Sequence, residues 1–179
     1  MLAFVGLLVL SAELHAAAGE PSFSEYKVKA AFIFNFAKYV EWPATAFDDL
    51  SSPIVIGVNP ESPLFGELEL LVRDRKIGGR GLVVRSCESP AGARAVHILF
   101  VNTADEPRLG GELPELEKRA ILTVGESARF TENGGVIGFV EESDKLHFKI
   151  NLREAQRAHL KVSSQLLKLA ISVERQDAR

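Results

Sequence analysis

Three histidines lie in the main body of the chain: His97, His147 and His159. None has a second histidine or a cysteine at the short spacing a zinc site uses, so no metal site is expected. His97 falls inside the apolar run VHILFV at residues 96–101, which makes it a core histidine with its ring nitrogens satisfied. His147 sits on the polar side of an alternating run, and His159 follows a short helical segment. Gly125, Glu126 and Ser127 begin a nucleophile-elbow pattern, but Arg129 stands where the closing glycine belongs. Gly78, Gly79 and Gly81 flank Arg80 in neither a phosphate-loop nor a dinucleotide pattern. They read as a bend feeding a strand. The acidic pairs Asp48–Asp49 and Glu141–Glu142 fall in polar connections and read as solvated side chains. Cys87 is the only cysteine, so no intrachain disulfide can form, and its place at the end of a strand predicts a buried thiol. No catalytic constellation and no cofactor motif emerges. The residues favour a binding or regulatory role.

The elements that would position these residues follow from periodicity. Residues 53–58, 81–87, 97–101 and 120–124 are short apolar runs bounded by turn residues, as buried strands are. Residues 64–72 and 113–118 read as helices between them, the first with Ser62 as cap and Pro63 at its first position. Residues 136–140 and 146–152 form an antiparallel hairpin across the polar connection 141–145. In the second of these strands Leu146, Phe148, Ile150 and Leu152 share one face. His147, Lys149 and Asn151 share the other, which is expected to be solvated. A short helix over 153–158 follows. A last helix capped by Ser163 is expected to carry Leu166, Leu167, Ala170, Ile171 and Val173 on one side, before a polar tail at 175–179. Strands alternating with helices, then a hairpin, predict a single three-layer α/β domain with a mixed β-sheet flanked by helices.

Composition sets the outer bounds. The chain has 179 residues and a formal net charge of −3, which provides no electrostatic footprint for nucleic acid. Residues 2–10 form an apolar run, and Ala16, Ala17 and Ala18 supply a small-residue cleavage site. Residues 1–18 are therefore expected to be a signal peptide cleaved near Ala18, with residues 19–179 as the exported domain. No basic residue precedes the apolar run, which points to a true start upstream.

The densest signal is YKVKAAFIFNFAKYVEWP at residues 26–43. No Gly or Pro interrupts it before Pro43, so it is expected to be helical to that point. Tyr26, Ala30, Ile33, Ala37 and Val40 form one stripe, and Val28, Phe32, Phe36 and Tyr39 widen it beyond what a surface helix needs. Such a helix is deeply packed or meets a partner.

This motif resembles the opening of the YfiR/HmsC-like family of periplasmic proteins. The resemblance continues through VHILFV at 96–101, ILTVG at 121–125 with GGVIGFV at 134–140, KINLREAQR at 149–157 and LKVSSQLLKLA at 160–170. Five ordered blocks carry it across nearly the whole exported domain. Some relatives have paired cysteines, which this chain lacks. The resemblance implies a periplasmic regulator without chemistry of its own. Such proteins inhibit a membrane-anchored diguanylate cyclase through its periplasmic sensor portion, lowering cyclic di-GMP and biofilm formation, and an outer-membrane-linked protein can sequester them. On that reading the partner-binding residues are Phe34, Lys38 and Trp42 along and just beyond the first helix, with Arg153 and Arg157 as a second, basic patch. The family and the surplus apolar surface both allow a homodimer. Two other readings stay open: a small-molecule-binding module with its crevice near Asn59 or Asn102, and an envelope enzyme whose residues meet only in space.

Overall fold

The computed structural model describes residues 23–174 apart from 90, 91, 94 and 128. The expected signal peptide and the tail at 175–179 lie outside the described residues. The long helix α1 (Phe23–Tyr39) comes first. It ends three residues before the expected exit at Trp42. Residues preceding a proline are pushed toward extended backbone, and the extended Val40–Glu41 (β1) finds an antiparallel partner in Lys161–Val162 (β9). The Tyr39 carbonyl, freed by the end of the helix, accepts from the Ser163 N–H at 2.9 Å.

The central sheet is built from β2 (Ile54–Val58), β3 (Lys76–Ile77), β4 (Arg80–Ser86), β5 (Ile98–Val101), β6 (Leu122–Gly125), β7 (Ile137–Glu142), β8 (Lys145–Asn151) and β10 (Ser172–Glu174). Their spatial order is β10-β8-β7-β6-β5-β2-β4-β3. β2 runs parallel to both β4 and β5, and the parallel set continues through β6 and β7. β8 turns back antiparallel. The sheet is therefore mixed, as expected, and helices cover both faces.

Burial alternation shows the two faces directly. Ile54, Ile56 and Val58 of β2, with Ile98 and Phe100 of β5, face a core shared with α1 and α2 (Pro63–Val72). The helices α5 (Leu152–Arg157) and α6 (Ser164–Leu169) add Ala155 and Leu166 to that same layer, with Ala158 at the end of α5. Val55, Leu99 and Val101 point the other way, where α3 (Glu106–Leu109) and α4 (Leu113–Lys118) bring Leu109 and Leu116. Parallel strands buried on both faces lose the polar alternation of a half-solvated strand, which is why they read as continuous apolar runs. Ser62 caps α2 as expected, its hydroxyl accepting from the Leu64 N–H.

α1 lies across the β7–β8 end of the sheet. Phe32 and Phe36 meet Phe139 and Phe148 with ring centroids 5.0–5.9 Å apart. Edge and tilted contacts of this kind add to the area they bury. Ala30, Ile33, Phe36 and Ala37 are fully buried, whereas Val28, expected to widen the apolar stripe, is exposed.

Two expectations at the C-terminal end need correction. The last helix stops at Leu169, and Ala170 is already extended. Val173 lies in β10, which pairs parallel with Lys149–Asn151 and covers what would otherwise be the open edge of β8. Asn151, placed on a solvated face by alternation, is buried. Its side chain accepts from the Glu154 N–H to cap α5 and donates to the Thr131 carbonyl and the Glu174 carboxylate. The hairpin joining β7 to β8 is tighter than expected, with Ser143 and Asp144 both at positive φ, as a two-residue type I′ turn requires.

Phe130 sits in a slot walled by glycine. A Cβ at Gly125 or Gly135 would fall within the Phe130 ring. Gly125→Ala is therefore expected to cost about 1–3 kcal/mol through overpacking. Phe130→Leu in the same chain should recover part of that loss. Urea unfolding of the two variants decides it: an unchanged midpoint for Gly125→Ala would mean the slot is not tight.

Candidate functional site

Lys27, Ala30, Phe34 and Lys38 follow one another at helical spacing along α1 and form a single stripe. α2 packs beside this stripe. Between the two helices lies a groove of about 440 Å³ bounded by Lys27, Ala30, Glu67, Leu71, Arg73 and Arg75, with Leu70 on its rim. Leu70 is 64% exposed, a large apolar side chain left in water. Arg75 places its guanidinium 5.1 Å from the centre of the half-buried Phe34 ring, a cation–π contact that extends the groove along α1. Lys38 is exposed further along, its ammonium 5.3 Å from the Tyr39 ring. The groove thus combines an apolar floor with three cations, against one buried carboxylate, Glu67.

The five residues expected to bind a partner separate into three places. Phe34 and Lys38 share the α1 stripe. Trp42 is half-buried beyond the helix end. Its indole N–H donates to the His97 carbonyl at 3.2 Å, and its ring meets His97 edge-on at 6.2 Å. Arg153 and Arg157 stand on α5, both half-exposed and both bound to the buried Glu154 carboxylate. Leu70, Arg73 and Arg75 were not anticipated. Leu70 carries the one available signal: it falls off the spacing of the buried Leu64, Leu68 and Val72.

Lys29 anchors α1 from within. A helical lysine is ordinarily solvated, yet this one is buried. Its ammonium lies 2.6 Å from Glu25 on the same helix and 2.8 Å from Glu126 just after β6. Burial alone would pull its pKa down. The hydrogen bonds and charges of Glu126 and Glu25 outweigh that and hold it above the ordinary 10.5.

The carboxyl end of the parallel strands, where the strand order switches direction between β2 and β5, is the customary crevice of such sheets. Here it is filled. Asn59 accepts from the Glu61 N–H and Asn102 from the Asp105 N–H, each closing a local turn. The opening lined by Cys87, Ser89 and Asp105 measures about 10 Å³, room for a single water. Cys87 is buried as expected, its thiol donating to the Ser89 carbonyl. Burial pushes that thiol up and makes it a poor nucleophile at neutral pH.

His97 is the satisfied core histidine. Nδ1 accepts from the Val55 N–H at 3.0 Å, and Nε2 donates to the Ala46 carbonyl at 3.1 Å. Phe47 stacks on the ring at 4.4 Å. Burial lowers its pKa below the ordinary 6.5. Arg80 and Arg85 add to this against the opposing pull of Ala46 and Asp48. Among the described residues no group of three or more His, Cys, Asp or Glu side chains is placed to hold a metal ion, and no helix is long and apolar enough to cross a membrane.

Residues 26–171 match the profile of a family described as YfiR/HmsC-like. No curated sequence matches the chain. Among solved structures, a conserved domain protein from Vibrio cholerae is similar at 12% identity and a TM-score of 0.56, covering 83% of this chain and 60% of that one. That likeness supports the α/β fold alone, and the chain spans less than two thirds of the relative's length. An ABC domain in complex with L-Trp from Streptococcus pneumonia aligns at 12% identity over 72% of this chain and 58% of that one, at a TM-score of 0.45, too low to carry an argument.

Two outcomes test the interior of the site. Lys29→Ala leaves Glu126 facing Glu25 and should cost about 2–4 kcal/mol in urea unfolding at neutral pH, with Lys29→Arg recovering part of it. Because the folded-state pKa is raised, the stabilisation is complete below 10.5 and declines as pH rises beyond it. A loss under about 0.5 kcal/mol would mean the charges are solvated after all. For His97 the sign is opposite. Its folded-state pKa is lowered, so its contribution is complete above 6.5 and is lost as pH falls. Urea midpoints at about pH 7.5 and about pH 5.5 should differ less in His97→Gln than in the natural chain. Equal differences would remove His97 as the cause.

Proposed function

The chain belongs to the YfiR/HmsC-like family, and on that premise we propose that it is an exported, periplasmic regulatory binding protein. Its target is the periplasmic sensor portion of a membrane-anchored diguanylate cyclase, which it holds in the inactive state. Cyclic di-GMP and biofilm formation fall as a result. An outer-membrane-linked protein that sequesters the inhibitor would release the cyclase.

The groove between α1 and α2 supports this reading. Exposed Leu70 and half-buried Phe34 provide the apolar anchors that dominate binding hot spots, and Lys27, Arg73 and Arg75 surround them with positive charge. An acidic, amphipathic segment of the sensor is the complementary surface. Inhibition needs no chemistry. Moving the sensor from a 1:99 to a 99:1 balance takes about 5.5 kcal/mol of differential affinity, which a few buried anchors can provide.

Deleting the gene should raise cellular cyclic di-GMP, and supplying the exported protein should restore the lower level. Leu70→Glu should fold normally, since the position is exposed, but fail to restore it. An unchanged cyclic di-GMP level on deletion, in cells shown to express the protein, would remove the inhibitor function. Full complementation by Leu70→Glu would move the contact away from the groove.

A further inference from the structure

A second cleft of about 450 Å³ opens at the amino end of β2 and β5, opposite the narrow opening at their carboxyl end. It falls within the size range of small-molecule sites. Its floor is apolar, from Val55 and Val96, which both belong to the core on the α3–α4 side of the sheet. Among the described residues its charged lining is Arg85 from β4 and Lys118 and Arg119 from the end of α4 against Asp48, and the exposed Lys118 also pairs with Glu115 at 2.7 Å.

The wall behind these cations is tied together by side-chain contacts. Arg85 is fixed by donating from Nη1 to the Ala95 carbonyl at 3.0 Å. Phe47 is sandwiched between His97 on one face and the Arg80 guanidinium, 3.7 Å from the ring centre, on the other. Arg80 in turn donates to the Asp49 and Ser52 carbonyls. Both nitrogens of His97 are already committed to backbone, so the imidazole contributes a neutral planar surface, not a proton donor. Like charges gathered over a low-dielectric floor focus the field and favour an anion, and guanidinium groups recognise oxyanions bidentately.

We propose that this cleft binds a small organic anion, a carboxylate or phosphate carried on a compact apolar or planar body. The oxyanion sits between Arg85, Lys118 and Arg119, and the body rests on Val55, Val96 and the edge of Phe47. This site lies away from the α1–α2 groove and does not depend on that groove's role.

The chain has a single tryptophan, Trp42, and it touches the back of this site through His97. Its emission is therefore a built-in reporter. Purified exported protein would be titrated separately with phenyl phosphate and benzoate, following Trp42 emission and the thermal unfolding midpoint. A saturable emission change with at least one probe, and a raised midpoint, are expected. The preferred probe names the oxyanion. Lys118→Gln/Arg119→Gln should weaken binding at least about tenfold. The control Lys145→Gln/Lys168→Gln removes the same charge from exposed sites outside the cleft and should bind as the natural chain does. Neither signal up to about 10 mM of either probe, or equal weakening in the two double variants, would overturn the proposal.

Discussion

The surplus of apolar side chains on α1 is the constraint to which the rest of the structure answers. A helix with one apolar stripe can rest on a sheet and show its other side to water. α1 carries Phe32 and Phe36 toward the sheet and Phe34 toward the opposite flank, so it needs cover from two directions. The sheet supplies one through Phe139 and Phe148. α2 supplies the other only in part, and Arg75 lies over Phe34 where α2 leaves off. The position of α1 is then pinned at both ends. Lys29 ties its first half to Glu126 at the end of β6, and β1 ties its exit to β9. A buried ion pair contributes little net stability against an apolar alternative, but it tolerates few other arrangements.

Fixing α1 also fixes what happens at the two ends of the parallel strands. Trp42 lies two residues beyond β1's first residue, and the indole N–H reaches the His97 carbonyl where β5 begins. The segment after Pro43 is thereby drawn across the amino end of the sheet, where Ala46 accepts from His97 and Phe47 stacks on it. At the carboxyl end Asn59, Asn102 and Cys87 narrow the space with their own turns and side-chain hydrogen bonds. Of the two strand-end openings among the described residues, the larger is thus the one at the amino end.

Much of this was legible from local pattern. Ser62 and Pro63 announce α2, apolar runs mark β2, β5 and β6, and the polar break after Val140 marks the hairpin. What could not be read depends on partners distant in sequence. Lys29 looks like a solvent-facing lysine until Glu126, 97 residues away, is brought beside it. Val173 fits a helical repeat until the open edge of β8 offers it a ladder. Asn151 obeys the alternation of its strand, but Thr131 and Glu174 gather around it and bury it. The candidate residues divide in the same way. Phe34 and Lys38 share a face because helical spacing alone decides that. Trp42, Arg153 and Arg157 were grouped with them by residue type, and tertiary packing gave each a neighbour of its own.

Charge placement carries the last step. A net charge of −3 over 179 residues offers no reason to expect anion or acidic-partner binding anywhere. Net charge, however, averages over the whole surface, while binding responds to the field inside a cleft within a Debye length of about 8–10 Å. Several acids are spent locally: Glu154 on Arg153 and Arg157, Glu25 and Glu126 on Lys29, and Glu115 on Lys118. The two clefts keep the reverse balance. One holds Lys27, Arg73 and Arg75 around Glu67, and the other holds Arg85, Lys118 and Arg119 around Asp48. A slightly acidic chain can therefore present two separately basic recesses. One lies between α1 and α2. The other lies at the amino end of the strands and reaches the layer formed by α4. Occupying either one leaves the lining residues of the other untouched.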